Sequence, residues 1–205
     1  MTRDFLPFLS DRTTSIESSL GLPPDFLRRL LSDDDWSFAI KGSALAEAAV
    51  TQLLVTALGR AELEPALLST PLLGKSGKTS MVRALGLIDA TQERFVKRLA
   101  ELRNSLVHDV RRTSFTFDAH VKALNRGEAP NFLRDLLFLW PSQRSEEAAH
   151  AGHLSPFVWL HLIAFLDRVL LARRAEEQSQ QVAELERDIG RYISQPDDPR
   201  ADEYT

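Results

Sequence analysis

Arg103, Asn104 and His108 bring a guanidinium, an amide and an imidazole to one short stretch of chain. Together such groups can cleave RNA without a metal. The 2′-hydroxyl attacks the neighbouring phosphodiester, and the protein has only to move protons and steady charge. An imidazole exchanges the proton near neutral pH. A guanidinium offers a planar fork of donors to the phosphate oxygens as negative charge grows on them. Asn104, one turn before His108, is placed to orient the ring or to donate to the phosphate. The plainer alternative pairs Arg103 with a carboxylate and leaves His108 to close a helix at its negative end.

These three residues need a helix to position them, and the spacing predicts one over 94–110. Phe95, Leu99, Leu102, Leu106 and Val110 recur at steps of three and four, which makes a single apolar stripe. Asn104 and His108 then fall on the side away from that stripe, and Lys97 and Glu101 extend the same polar face. Arg103 stands at the border, where its methylenes pack while its head reaches round. Arg103 and His108 are about 140° apart on an ideal helix, so one helix does not aim both at a single phosphate. A second copy brought face to face by a two-fold axis supplies the missing groups, and a homodimer is expected.

The chain has 205 residues, 43% of them hydrophobic and 26% charged, with no cysteine and a net charge of −4. That suits one domain with peripheral segments and excludes disulfides and thiolate metal sites. It also excludes a generally basic surface, so any RNA contact must be local. Lys97, Arg111 and Arg112, with Arg94 and Arg98, cluster around the motif helix and its exit and are the candidate RNA-binding residues. No secretory signal is read in residues 1–4. The uncharged apolar stretches 48–59 and 154–166 are too short to span a bilayer, so a cytoplasmic protein without membrane contact is expected.

Organisation along the chain reads as all-α. Residues 1–21 form an N-terminal arm, loosely packed, whose Phe5, Leu6, Phe8 and Leu9 dock on a helical body over 22–173. A helical extension follows over 174–194, and an acidic, disordered tail over 195–205. Asp33, Asp34 and Asp35 cap a central helix over 36–58. Glu47 lies in the midst of that apolar helix and needs a partner; Arg103 is the candidate, with Glu47 holding the guanidinium, and another arginine is the alternative. The run 74–79 ends in Gly77-Lys78-Thr79, as a phosphate-binding loop does, but Leu72 stands where that pattern requires glycine. It is read as a flexible loop with Lys75 and Lys78 free for phosphate contacts. Residues 111–116 are expected to be extended and 142–152 to be a polar loop. That loop holds His150 and His153 near Glu146 and Glu147, too weak a pattern for a metal site. His161 is read as a packed residue. No cofactor or metal is called for.

Residues 102–108, preceded by Ala84-Leu85-Gly86-Leu87-Ile88, resemble the R-polar-x3-H signature of the HEPN superfamily. Within it the closer likeness is to the mannitol operon repressor (MltR-like) group. It rests on Ser37-Phe38-Ala39-Ile40-Lys41, Ala44-Leu45-Ala46-Glu47-Ala48, Pro71-Leu72-Leu73-Gly74, Leu102-Arg103, Leu106, His108-Asp109 and Phe115-Thr116, and spans about residues 35–173. The resemblance implies an all-α, HEPN-like helical bundle, often dimeric. It assigns catalysis to Arg103, Asn104 and His108, with Asp109 in support. It implies two functions. One is a metal-independent endoribonuclease of a toxin or antiviral system, working with an operon-encoded protein partner; the other is a non-enzymatic regulator or interaction module. Val110 stands where antitoxin-paired members carry a modifiable tyrosine, which argues against that particular system.

Overall fold

Asp34 starts the central helix by accepting a hydrogen bond from the Ser37 amide at 2.9 Å, and the apolar run that follows buries Phe38, Leu45, Val50, Leu53 and Leu54. The structure, a computed structural model, describes residues 5–194, with side chains over 10–109 and 111–188. All regular structure among them is helical. In chain order the helices are α1 (Phe5–Leu20), α2 (Phe26–Leu31), α3 (Asp35–Leu58), α4 (Glu64–Ser69), α5 (Lys78–Ala84), α6 (Ala90–Val107), α7 (Phe117–Ala123), α8 (Glu128–Leu136), α9 (Ser142–Ala151) and α10 (Ser155–Ser194). Short 3-10 turns cover Ala61–Leu63 and Val110–Ser114.

Helix α3 is the hub, packed against α10 on one side and α6 on another. Gly42 eases the first of these approaches, because a Cβ there would meet Leu162 Cδ2 at 3.2 Å and the leucine side chain would have to shift slightly. Phe95 of α6 sits between Phe138 and Phe165, with ring centroids 5.1 and 5.4 Å away, and joins α6 to α10. At one end of the bundle the Asp35 carboxylate accepts from the Phe117 amide at 2.8 Å and from the Ser155 hydroxyl, tying the first turns of α3, α7 and α10 together.

The amino-terminal arm is more firmly built than its sequence suggests. Residues 5–20 are helical, Ile16 is wholly buried, and Arg12 bridges to Asp167 on α10 at 3.0 Å. Glu17, also buried, accepts from the amides of Asp25 and Leu27 at 3.0 and 2.8 Å and so caps α2 from outside. The expected docking of Phe5, Leu6, Phe8 and Leu9 and the tail 195–205 lie outside the described side chains and residues. Two further segments differ from expectation. Residues 142–151 are helix, anchored by Ser145 and Ala148, and residues 110–114 are a 3-10 turn rather than extended chain.

Helices α3 and α10, the latter over Ser155–Asp188, are long and apolar enough to cross a membrane, because helical continuity carries each apolar run past isolated polar residues. Here 61% and 50% of those windows are buried within the bundle, largely against each other. Beyond residue 180, where Gln180 Nε2 donates to the Thr56 carbonyl at 2.6 Å, α10 leaves the body with Val182 and Leu185 exposed.

His161 lies fully buried on α10, its Nδ1 donating to the Phe157 carbonyl at 2.7 Å. That bond leaves Nε2 buried with no partner, edge-on to Trp140 and Phe138. Burial pushes the ring's pKa below its usual 6.5; the Phe157 bond opposes this and Arg144 reinforces it. The unfolded chain therefore takes up the proton first. Stability is intact above about pH 6.5 and is lost as the pH falls from there toward the folded pKa. Urea midpoints measured from about pH 7 to about pH 5 should fall in the native protein and fall less in His161→Leu; parallel curves would refute the assignment.

Candidate functional site

Helix α6 opens with a reciprocal cap. Asp89 accepts from the Thr91 and Gln92 amides at 2.8 and 2.9 Å, and the Gln92 side chain returns to the Asp89 amide at 2.8 Å. Phe95, Leu99, Leu102 and Leu106 are all buried, which turns the opposite face to solvent as the spacing predicts. Arg103, Asn104 and His108 are exposed. The Arg103 guanidinium does reach round to the polar side, where its Nη1 donates to Asn104 Oδ1 at 3.1 Å. Among the described residues Arg103 has no carboxylate within ion-pair distance, and the His108 ring has no hydrogen-bond partner. A fork of cationic donors and an imidazole are thus both left open to a ligand.

The helix starts and ends earlier than the sequence indicates, running from Ala90 to Val107 rather than from 94 to 110. It ends at Val107, and His108 is its C-cap, still with right-handed backbone angles. Asp109 then turns extended and its carboxylate accepts from the Arg111 amide at 3.2 Å, starting the 3-10 turn. The same carboxylate lies 3.0 Å from Arg111 Nε and 3.7 Å from Arg112 Nε. Asp109 therefore supports the turn and its arginines rather than His108.

Glu47 does not hold Arg103. Its carboxylate lies 2.7 Å from Lys78 Nζ, and Lys78 is 1% exposed at the start of α5. The loop before α5 explains why. Gly77 has no room for a side chain, since a Cβ would fall 2.6 Å from the Leu73 carbonyl group, so the chain folds tightly back on 71–73. The amides of Lys78 and Thr79 donate to the carbonyls of Pro71 and Leu72 at 2.9 and 3.1 Å. Those amides and the lysine are already engaged within the protein, so the run 74–79 is neither a phosphate cradle nor a source of a free Lys78; of its two lysines, Lys75 is the exposed one. Glu47→Ala leaves a buried ammonium without its anion. Because the Glu47 side chain is itself 38% exposed, the expected loss is below the range for fully buried pairs, about 2 kcal/mol. Glu47→Leu/Lys78→Met should restore most of it in chemical denaturation; equal losses in the single and double variants would refute a buried pair.

The expected basic patch is partly neutralised, its cations sharing fewer carboxylates. Lys97 pairs with Glu93 at 2.6 Å, and Arg111 and Arg112 with Asp109. Arg94 and Arg98 turn toward Asp135 of α8, at 3.5 and 2.9 Å, where Arg134 also sits at 3.1 Å. Asp135, which the motif spacing does not single out, is 5% exposed and carries three guanidiniums. Beside it, α6, α7 and α8 enclose a cavity of about 330 Å³ into which Arg98, Glu101, Ser105, His120 and Asn131 face.

The chain matches no family model, no curated protein and no solved structure. Its chemistry is accordingly read from the geometry. The His150 ring is engaged locally, its Nδ1 donating to the Glu146 carbonyl at 2.7 Å, while the His153 backbone amide donates to Asp118 at 3.0 Å.

Proposed function

We propose that this protein binds RNA and cleaves it as a metal-independent endoribonuclease, at a site completed by a second copy of the chain. The observation that carries this reading is the exposed trio on α6: a guanidinium without a carboxylate partner among the described residues, fixed to Asn104, one turn from an imidazole equally without a partner. His108 serves as acid or base, Arg103 clamps the phosphate and Asn104 holds the guanidinium. The HEPN-like character of the bundle belongs to this proposal, as do the homodimer, a cytoplasmic location and a defence or toxin setting with an operon-encoded partner. The test incubates purified protein with mixed RNAs in EDTA and analyses the ends. Fragments bearing 2′,3′-cyclic phosphate are expected, together with a dimer in sedimentation. Intact RNA at high protein concentration, or a strictly monomeric protein, overturns the reading.

One observation favours a second reading, a non-enzymatic regulator or interaction module. The cations Lys97, Arg111 and Arg112 all sit beside carboxylates, Lys97 on Glu93 and the two arginines sharing Asp109, which lowers the net positive charge offered to an RNA backbone. Protein that binds a partner chain through α6 yet leaves RNA whole would establish it.

A further inference from the structure

We infer that the cavity between α6, α7 and α8 is a nucleobase pocket, and that it selects adenine beside the phosphodiester at which His108 acts as acid or base; this rests on the ribonuclease reading. Position comes first. Glu101 and Ser105, which line the cavity, lie seven and three residues before His108. At about 100° per residue they share its face of the helix, roughly 10 Å and 5 Å away along the axis. A base splayed into the cavity therefore belongs to a nucleotide next to the catalytic histidine.

Chemistry comes second. Specific recognition of single-stranded RNA stacks bases on aromatic rings or guanidinium planes and bonds their polar edges. The His120 ring lies among Phe115 and Phe132, with centroids 5.6 and 4.8 Å away, and Arg98 covers Phe132 at 5.6 Å. Burial, with Arg112 and Arg98 adding to it, keeps the His120 pKa low, so the ring presents a neutral plane rather than a charge. Asn131 spends one N–H on the Gly127 carbonyl at 3.0 Å and keeps its other N–H and its carbonyl oxygen. That remaining pair matches N7 and the N6 amine of adenine. The exposed carboxylate of Glu128, with no ion pair among the described residues, adds a second acceptor suited to an exocyclic amine and repels a carbonyl in the same place. About 330 Å³ lies at the small end of ligand sites, as a single base requires.

The test uses 2′-O-methyl oligo(A), oligo(C) and oligo(U), which cannot undergo the cleavage step, in fluorescence anisotropy with full-length protein. Oligo(A) should bind about tenfold more tightly than oligo(U), the discrimination of one bidentate amide contact. Asn131→Ala should reduce that difference and Asn131→Ala/Glu128→Ala should abolish it, with the melting temperature unchanged in both; both side chains are exposed, so their replacement spares the core. His108→Ala should keep the preference. Equal affinity for the three oligomers, or a preference that survives Asn131→Ala/Glu128→Ala undiminished, overturns the pocket. If unmodified RNA is still cut with cyclic-phosphate ends but without regard to the flanking base, this inference fails and the ribonuclease reading stands; if RNA is neither bound nor cut, both fail.

Discussion

Alanine at His108 should reduce RNA cleavage by about 10²–10⁴-fold, the usual contribution of a positioned acid or base. The fold should be untouched, because the ring is exposed and makes no hydrogen bond among the described residues. Arg103→Ala should be comparably severe, and Arg103→Lys should rescue little, since a lysine cannot present a fork to the phosphate. Mixing the two defective proteins gives a sharper result. If each site takes its guanidinium from one subunit and its imidazole from the other, dimers of Arg103→Ala with His108→Ala contain one intact site and regain measurable cleavage. Absence of recovery after subunit exchange would place both groups in one chain, and unchanged activity in His108→Ala alone would remove it from the reaction altogether.

Asp135→Ala should destabilise the protein more than Glu47→Ala does. Asp135 is buried, and it faces Arg94 and Arg98 of α6 and Arg134 of its own helix. Removing it leaves three like charges crowded at the α6–α8 contact, and Arg98 Nε already lacks a partner there. Since those arginines are 30–48% exposed, they relax partly into water. The cost should be about 3 kcal/mol, the lower end of the range for breaking a buried pair. For a chain of this size that corresponds to a fall of about 6–12 °C in Tm. Calorimetry checks it; a shift under about 2 °C would show that the cluster is a solvated surface feature. Asp135→Ala should also weaken RNA binding, because α8 forms one wall of the cavity beside α6.

What the sequence made legible was whatever periodicity or capping dictates locally. The stripe Phe95, Leu99, Leu102 and Leu106 specified the buried face of α6, hence the exposure of Asn104 and His108, and Asp34 marked the start of α3. Pairings between distant segments were not legible. Glu47 could be recognised as a charge in need of a partner, but whether that was Arg103 or Lys78 depends on how tightly 71–77 turns back, and this is a tertiary matter. Asp135 sits within Leu133, Leu136 and Leu137 and could have been noticed on the same grounds as Glu47. The polar helix 142–151 lacks a strong apolar stripe; tertiary packing of Ser145 and Ala148 makes it helical. His120 was missed because nothing local distinguishes it, apart from the aromatic residues Phe115 and Phe117 that precede it.

The forty residues of α10 form one uninterrupted rod about 60 Å long. Its first half is rooted in the core through Trp159, whose indole donates to the Leu27 carbonyl at 2.7 Å, while its far end projects past the last contact with α3. A rod held at one end works as a lever. A load fastened near residue 188 would stand about 12 Å beyond the last contact with α3, and any torque on it would be borne first where Gln180 meets Thr56 and Arg173 meets Gln52 rather than dissipated in a hinge.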